Sequence, residues 1–167
     1  VRSDVARARA AEAVYKAVRY APDVAESQCS QAQYSLLYEW NWQEAKSAFE
    51  RSLELNPGYA QASAWYHMFY HGFVCGQYRD GATRLAHALS HDRYSGYGAA
   101  MLAQLFAFAR DTISADEWAA RAEELAPTAF FTPWTRQIIA IAGNDWPRAI
   151  HAAGEVLAIS GRSPIPL

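Results

Sequence analysis

The feature that most constrains this chain is a recurrence. Pro22, Pro57, Arg93, Pro127 and Gly161 form a series with intervals of 35, 36, 34 and 34 residues. Twelve residues before these positions stand Ala10, Ala45, Gly81, Ala115 and Ala149, all Ala or Gly. Five before them stand Ala17, Ser52, Ala88, Ala122 and Val156, and four of these are small. Between each small pair, eight before the anchor, lies an apolar residue: Val14, Phe49, Leu85, Ala119 or Ala153. Positions seven apart on an α-helix share nearly one face, two turns distant. Small residues there let a second helix approach closely, and the apolar residue between them fills the groove.

Each of these helices ends at a breaker, most plainly in "LNPG" and "LAPT". Ahead of each lies another apolar helical stretch, at 24–38, 60–75, 96–110 and 130–142. Turns such as "CGQYRDG" and "AGNDW" separate the two. Two helices per unit of about 34 residues predict an all-α fold, an α-solenoid of helix-turn-helix units.

This pattern resembles the tetratricopeptide repeat (TPR) over nearly the whole chain, which implies a right-handed superhelix. The second helix of each unit keeps the family pattern best. In the first helix only Trp65 holds the family's Trp position, and Gln33, Phe69, Ala103 and Gln137 replace its close-packing Gly. A narrower likeness lies in "YEWNWQEAKSAFERSLELNPGYAQASAWY", through Tyr38, Trp40, Trp42, Ala45, Phe49, Leu53, Asn56, Pro57, Tyr59, Ala60, Trp65 and Tyr66. It resembles the TPR domains attached to bacterial winged-helix transcriptional regulators, cyclases and kinases. The resemblance implies a scaffolding or sensory role in transcriptional regulation or signalling.

The expected organisation is a single domain cut from a longer protein. Residues 1–22 carry the pattern of a second helix with no first helix before it. Units follow at about 23–59, 60–95, 96–129 and 130–161, and 162–167 read as the start of a next unit. The 167 residues suffice for a sizeable core, and 51% apolar with 19% charged residues is a globular composition. A net charge of −2 leaves no electrostatic footprint for nucleic acid. Arg2, Arg7 and Arg9 are diluted by Asp4 and Glu12 and read as a solvated helix face. No apolar run is long enough to span a membrane. Cys29 and Cys75 fit no ligand or redox spacing, so a reduced, cytoplasmic setting is expected.

Catalytic motifs are missing from the sequence: there is no nucleophile elbow, no phosphate-cradling glycine loop and no Cys with a His partner in context. Asp111, Asp116 and Glu117 cluster at a turn and helix start, where capping is the expected role. No enzyme activity and no cofactor is expected. The histidines offer one alternative chemistry. His67 and His71 form an i,i+4 pair, and His87 and His91 form a second, so four ligands could close a zinc site. The plainer reading makes them surface residues of the second unit, and neither pair encloses the Glu of a zinc protease motif.

Aromatics make up 14% of the chain, many on first helices. The TPR resemblance places first helices on the concave face, where partner peptides lie. Its ladder of candidates is Tyr34 and Tyr38 with Ser30, then Tyr66, Tyr70 and Phe73, then Tyr97, Gln104 and Phe108, then Trp134 and Ile138 with Phe131. The competing reading makes such a stripe ordinary core. Tyr suits recognition surfaces because its rigid apolar body ends in a polar tip. The ladder carries neither a cation nor Asn, so it is not suited to gripping a terminal carboxylate. The expected function is a non-catalytic protein–protein interaction module that binds a peptide or helix. The alternatives are self-association through exposed terminal helices, or sensing of a small ligand or zinc.

Overall fold

The computed structural model describes residues 3–160, and its regular elements are all helical. A leading helix, α1 (Ser3–Tyr20), is followed by four helix pairs. The first unit joins α2 (Ala25–Tyr34) to α3 (Trp42–Leu55), and the second joins α4 (Ala60–Trp65) to α5 (Tyr78–Leu89). The third pairs α6 (Gly96–Phe108) with α7 (Thr112–Leu125), and the fourth α8 (Phe131–Ala142) with α9 (Trp146–Ser160). Within each unit we call these helix A and helix B. Each helix A packs on its own helix B, on the helix B before it and on neighbouring A helices. This is the α-solenoid expected from the recurrence. The start of a further unit expected at 162–167 lies outside the described residues.

The small positions do what their spacing implies. Ala45, Ala115 and Ala122 are fully buried where helix B meets helix A. Ser52 is buried too, and its Oγ donates to the Ala25 carbonyl of the paired helix at 2.7 Å. Phe49 and Leu85, between the small pairs, are likewise fully buried. The starts of α3, α6 and α7 are capped by side-chain oxygens: Asn41 accepts from the Glu44 N–H, Ser95 from Gly98 and Asp111 from Ser114. Asp111 therefore caps a helix, while Asp116 pairs with Arg148 at 3.0 Å.

The unequal intervals of the sequence have a structural cause. Every helix A ends at a residue with positive φ: Trp40, Gly76, Arg110 and Asn144. Each stands 17 positions before Pro57, Arg93, Pro127 and Gly161, so the helix-B half of the unit is constant. The surplus lies in helix A, one residue in the first unit and two in the second. There α2 runs on as a π-helix over Ser35–Glu39, and α4 over Tyr66–Val74. A π turn closes on the carbonyl five residues back and so takes up an added residue without breaking the helix. Closing bonds show the same difference. Asn41 and Gln77 donate to carbonyls six residues back, Asp111 and Asp145 to carbonyls five back.

Candidate functional site

Helix A of the second unit is a run of α then π turns, and it carries two side-chain stripes of different chemistry. Trp65, Phe69 and Phe73 form the first. Trp65 stacks on Phe69 at 4.4 Å between ring centroids, and Phe69 meets Phe73 edge-on at 5.6 Å. The stripe continues into the third unit through Phe108, 5.4 Å from Phe73. Tyr97 of α6 bonds to the Trp65 indole and meets Phe131 of α8 at 5.6 Å, and Phe130 stacks on Trp134 at 6.2 Å. Burial pushes the Tyr97 hydroxyl up to about 12, so it stays neutral, and its oxygen accepts from the indole N–H. At the far end, Phe108, Ile138 and Ile141 line a small apolar cavity of about 340 Å³ beside Arg110.

Of the expected ladder, Phe73 (46% exposed) and Tyr38 (39%) reach solvent most, with Tyr38 stacked on Tyr34 at 5.4 Å. Tyr34, Tyr70, Tyr97, Phe108, Trp134 and Ile138 are half-buried, as are Ser30 and Phe131. Two members are corrected. Tyr66 is only 6% exposed: its ring stacks on Phe49 at 5.5 Å, and its hydroxyl donates to Glu50 at 2.9 Å. Gln104 is fully buried and donates to the Thr135 hydroxyl at 2.9 Å. The cause is common to both. An interior helix A is flanked by two B helices and two A helices, which leaves only a narrow stripe open. Counting from the proline anchors also misplaces that stripe beyond a π turn, because each extra residue rotates the remainder of the helix by roughly 100°. Trp65 and Phe69 therefore belong to the aromatic surface although the ladder omitted them, and the 35- and 36-residue intervals were the available signal.

The second stripe is polar. Ser63, His67 and His71 are four residues apart and face the seam toward α5. Gly81 makes that seam close, since a Cβ there would lie 2.8 Å from the His67 carbonyl oxygen and 3.5 Å from the His71 Cβ. Ser63 is 2% exposed and His67 8%. Ser63 Oγ, His67 Nδ1 and His71 Nδ1 are buried without a hydrogen-bond partner. Desolvation holds the His67 imidazole down at about 3 and also lowers His71, so His67 is neutral at physiological pH. Around them, Lys46 grips Glu50 at 2.7 Å, and Arg84 Nε donates to Asp80 at 2.7 Å. Between α3 and α5 lies a groove of about 480 Å³ whose lining includes Ser63 and His67.

The expectation that these histidines are surface residues is therefore corrected for His67, because its stripe faces the closely packed seam opposite Gly81. Nor does the fold assemble the four-histidine set. His87 and His91 lie exposed with rings 5.6 Å apart. Among the described residues, no three His, Cys, Asp or Glu side chains group so as to hold a metal ion. The cysteines are free, Cys29 buried and Cys75 exposed, and burial pushes the Cys29 thiol up to about 12. Among the described residues no helix is long and apolar enough to cross a membrane.

No family model matches the sequence, and no curated protein matches it as a relative. Solved structures do match. The Cut9–Hcn1 hetero-tetramer of the APC/C superposes with a TM-score of 0.76 at 14% identity, over 94% of this chain and 30% of the matched one. YrrB, described as a TPR protein with an unusual peptide-binding site, superposes with a TM-score of 0.58 at 14% identity, over 98% of this chain and 83% of the other. This chain thus spans less than a third of the Cut9–Hcn1 chain it matches. Helix pairing, buried small residues and these superpositions agree: the chain has the fold of a tetratricopeptide-repeat solenoid.

Proposed function

We propose that this chain is a non-catalytic protein–protein interaction module whose A-helix surface receives a peptide or helix bearing apolar and aromatic side chains. The observation that carries the reading is the aromatic strip through Phe69, Phe73 and Phe108, with Trp134 and Phe130 further along, part-exposed on successive A helices. Rigid aromatic anchors of this kind dominate binding energy at interfaces. YrrB's peptide-binding site supports the reading by analogy of fold. The narrower likeness to TPR domains of bacterial regulators supports a scaffolding or sensory role within a longer protein, and two free cysteines suit a cytoplasmic setting.

The test is selection from a displayed library of random peptides, followed by affinity measurement on Phe73→Ala and Trp134→Ala variants. Enrichment of aromatic-bearing peptides, with at least about tenfold weaker binding to each variant, is the expected result. Affinities unchanged in both variants contradict the reading.

A second reading, self-association, is favoured by exposed apolar residues on the first and last described helices: Tyr15 and Tyr20 on α1, Trp146 and Ile150 on α9. A mass that rises with concentration and falls back in Ile150→Asp supports it; a constant monomer mass contradicts it.

A further inference from the structure

The groove between α3 and α5 of the second unit shares no lining residue with the aromatic strip. Its polar lining consists of Ser63, His67, Thr83, Arg84 and His87, set against apolar walls from Leu53, Pro57 and Ala88. No carboxylate lines it. The nearest acidic partner, Asp80, occupies only the Nε position of Arg84, leaving the two terminal amino groups of the guanidinium open in a half-exposed side chain. Ser63 and His67 are the buried members of the lining, and Ser63 Oγ and His67 Nδ1 have no hydrogen-bond partner. Buried polar atoms left unmatched are uncommon and call for an explanation. A neutral imidazole carries one N–H and can place it on Nδ1, so every polar group of the lining is able to donate.

Donors of three kinds around a lining free of carboxylates match one ligand chemistry. We propose that this groove binds an oxyanion, a phosphate or carboxylate group, held by the exposed Arg84 and His87 and by the buried His67 and Ser63. Guanidinium and imidazole donors are the usual partners of such groups, and their hydrogen bonds to an ionised acceptor are the strong ones. The apolar walls from Leu53 and Pro57 would hold the body that carries the anion.

The test is NMR observation of the histidine ring signals during titration with inorganic phosphate and, separately, with N-acetylglutamate, at ionic strength held constant with chloride. Saturable shifts of His67 and His87 are expected, with dissociation constants below about 10 mM, while exposed His151 on α9 serves as the internal reference. Arg84→Gln and His87→Gln, both at exposed positions, should each weaken binding about tenfold or more with the unfolding midpoint unchanged. Saturation by phosphate alone identifies a phosphoryl group as the ligand chemistry, and saturation by N-acetylglutamate alone identifies a carboxylate. Absence of saturation with both probes up to about 100 mM, or equal binding by the variants, overturns the proposal.

Discussion

The second and third units occupy adjacent places in one solenoid and solve the same packing problem differently. In the third, the seam between helices A and B is built from alanine: Ala103 and Ala107 of α6 lie against Ala115 and Ala119 of α7, all buried. Counted from the anchors, Ala99, Ala103 and Ala107 occupy the positions that Ser63, His67 and His71 hold in the second unit. Helix A there is regular, and Met101, Leu102 and Leu105 are fully buried. The second unit has two more residues in helix A, a π segment that takes them up, and partnerless polar atoms where its neighbour has methyl groups. The repeat fixes helix order and the spacing of helix B. It leaves helix A free to become either dry core or a polar surface.

That contrast can be broken first at its apolar side. Leu102→Ala should cost about 3 kcal/mol in urea unfolding, the usual penalty for a cavity in a core that cannot collapse. A loss below about 1 kcal/mol would mean that the third unit is not the tightly packed member of the pair. Gly81→Ala probes the seam of the second unit. The third unit carries an alanine at the matching position, Ala115, without difficulty. In the second the new methyl would meet the His67 carbonyl at 2.8 Å, so a net loss of about 1–2 kcal/mol is expected despite the helix propensity gained. A gain in stability would show that the two seams are equally spaced.

Much of this was legible beforehand. Helix count, helix-B register and the four A–B pairs follow from small residues at fixed distances before each breaker, because small residues are what close helix approach requires. Helix A was less legible for a physical reason. Intervals of 35 and 36 residues signal a surplus, but a surplus can be spent in a loop or inside a helix, and only the hydrogen bonds tell which. The same ambiguity hid the candidate sites. Gln104 falls on the groove ladder by the resemblance to the repeat and is buried on Thr135. His67 looks like a surface residue by spacing and is buried opposite Gly81.

The polar stripe should also make stability depend on pH. Because burial lowers His67 to about 3, with His71 lowered in the same direction, the unfolded chain takes up protons before the folded one as pH falls below about 6.5. Stability is then full above that value and declines toward pH 3, by at most about 1.4 kcal/mol per pH unit from His67. Between pH 7 and about 5, above the range of the lowered Glu50 and Asp80 carboxyls, the decline belongs to the histidines. Urea midpoints for the native chain and His67→Gln should therefore diverge, the variant being flatter; parallel curves would place His67 in water. The smallest effect is expected from Ser63→Ala. Removing a buried hydroxyl without a partner should be neutral or stabilising by up to about 1 kcal/mol, and a clear loss would reveal a partner for it.

The difference between the two units rests finally on which carbonyl each amide faces, and through-hydrogen-bond NMR couplings read that pairing directly. In the second unit the Cys75 amide should couple to the Tyr70 carbonyl, five residues back, while in the third the Ala109 amide should couple to Leu105, four back. Coupling of Cys75 to His71 instead would make helix A of the second unit an ordinary α-helix, move its two extra residues elsewhere, and contradict the origin assigned to both of its stripes.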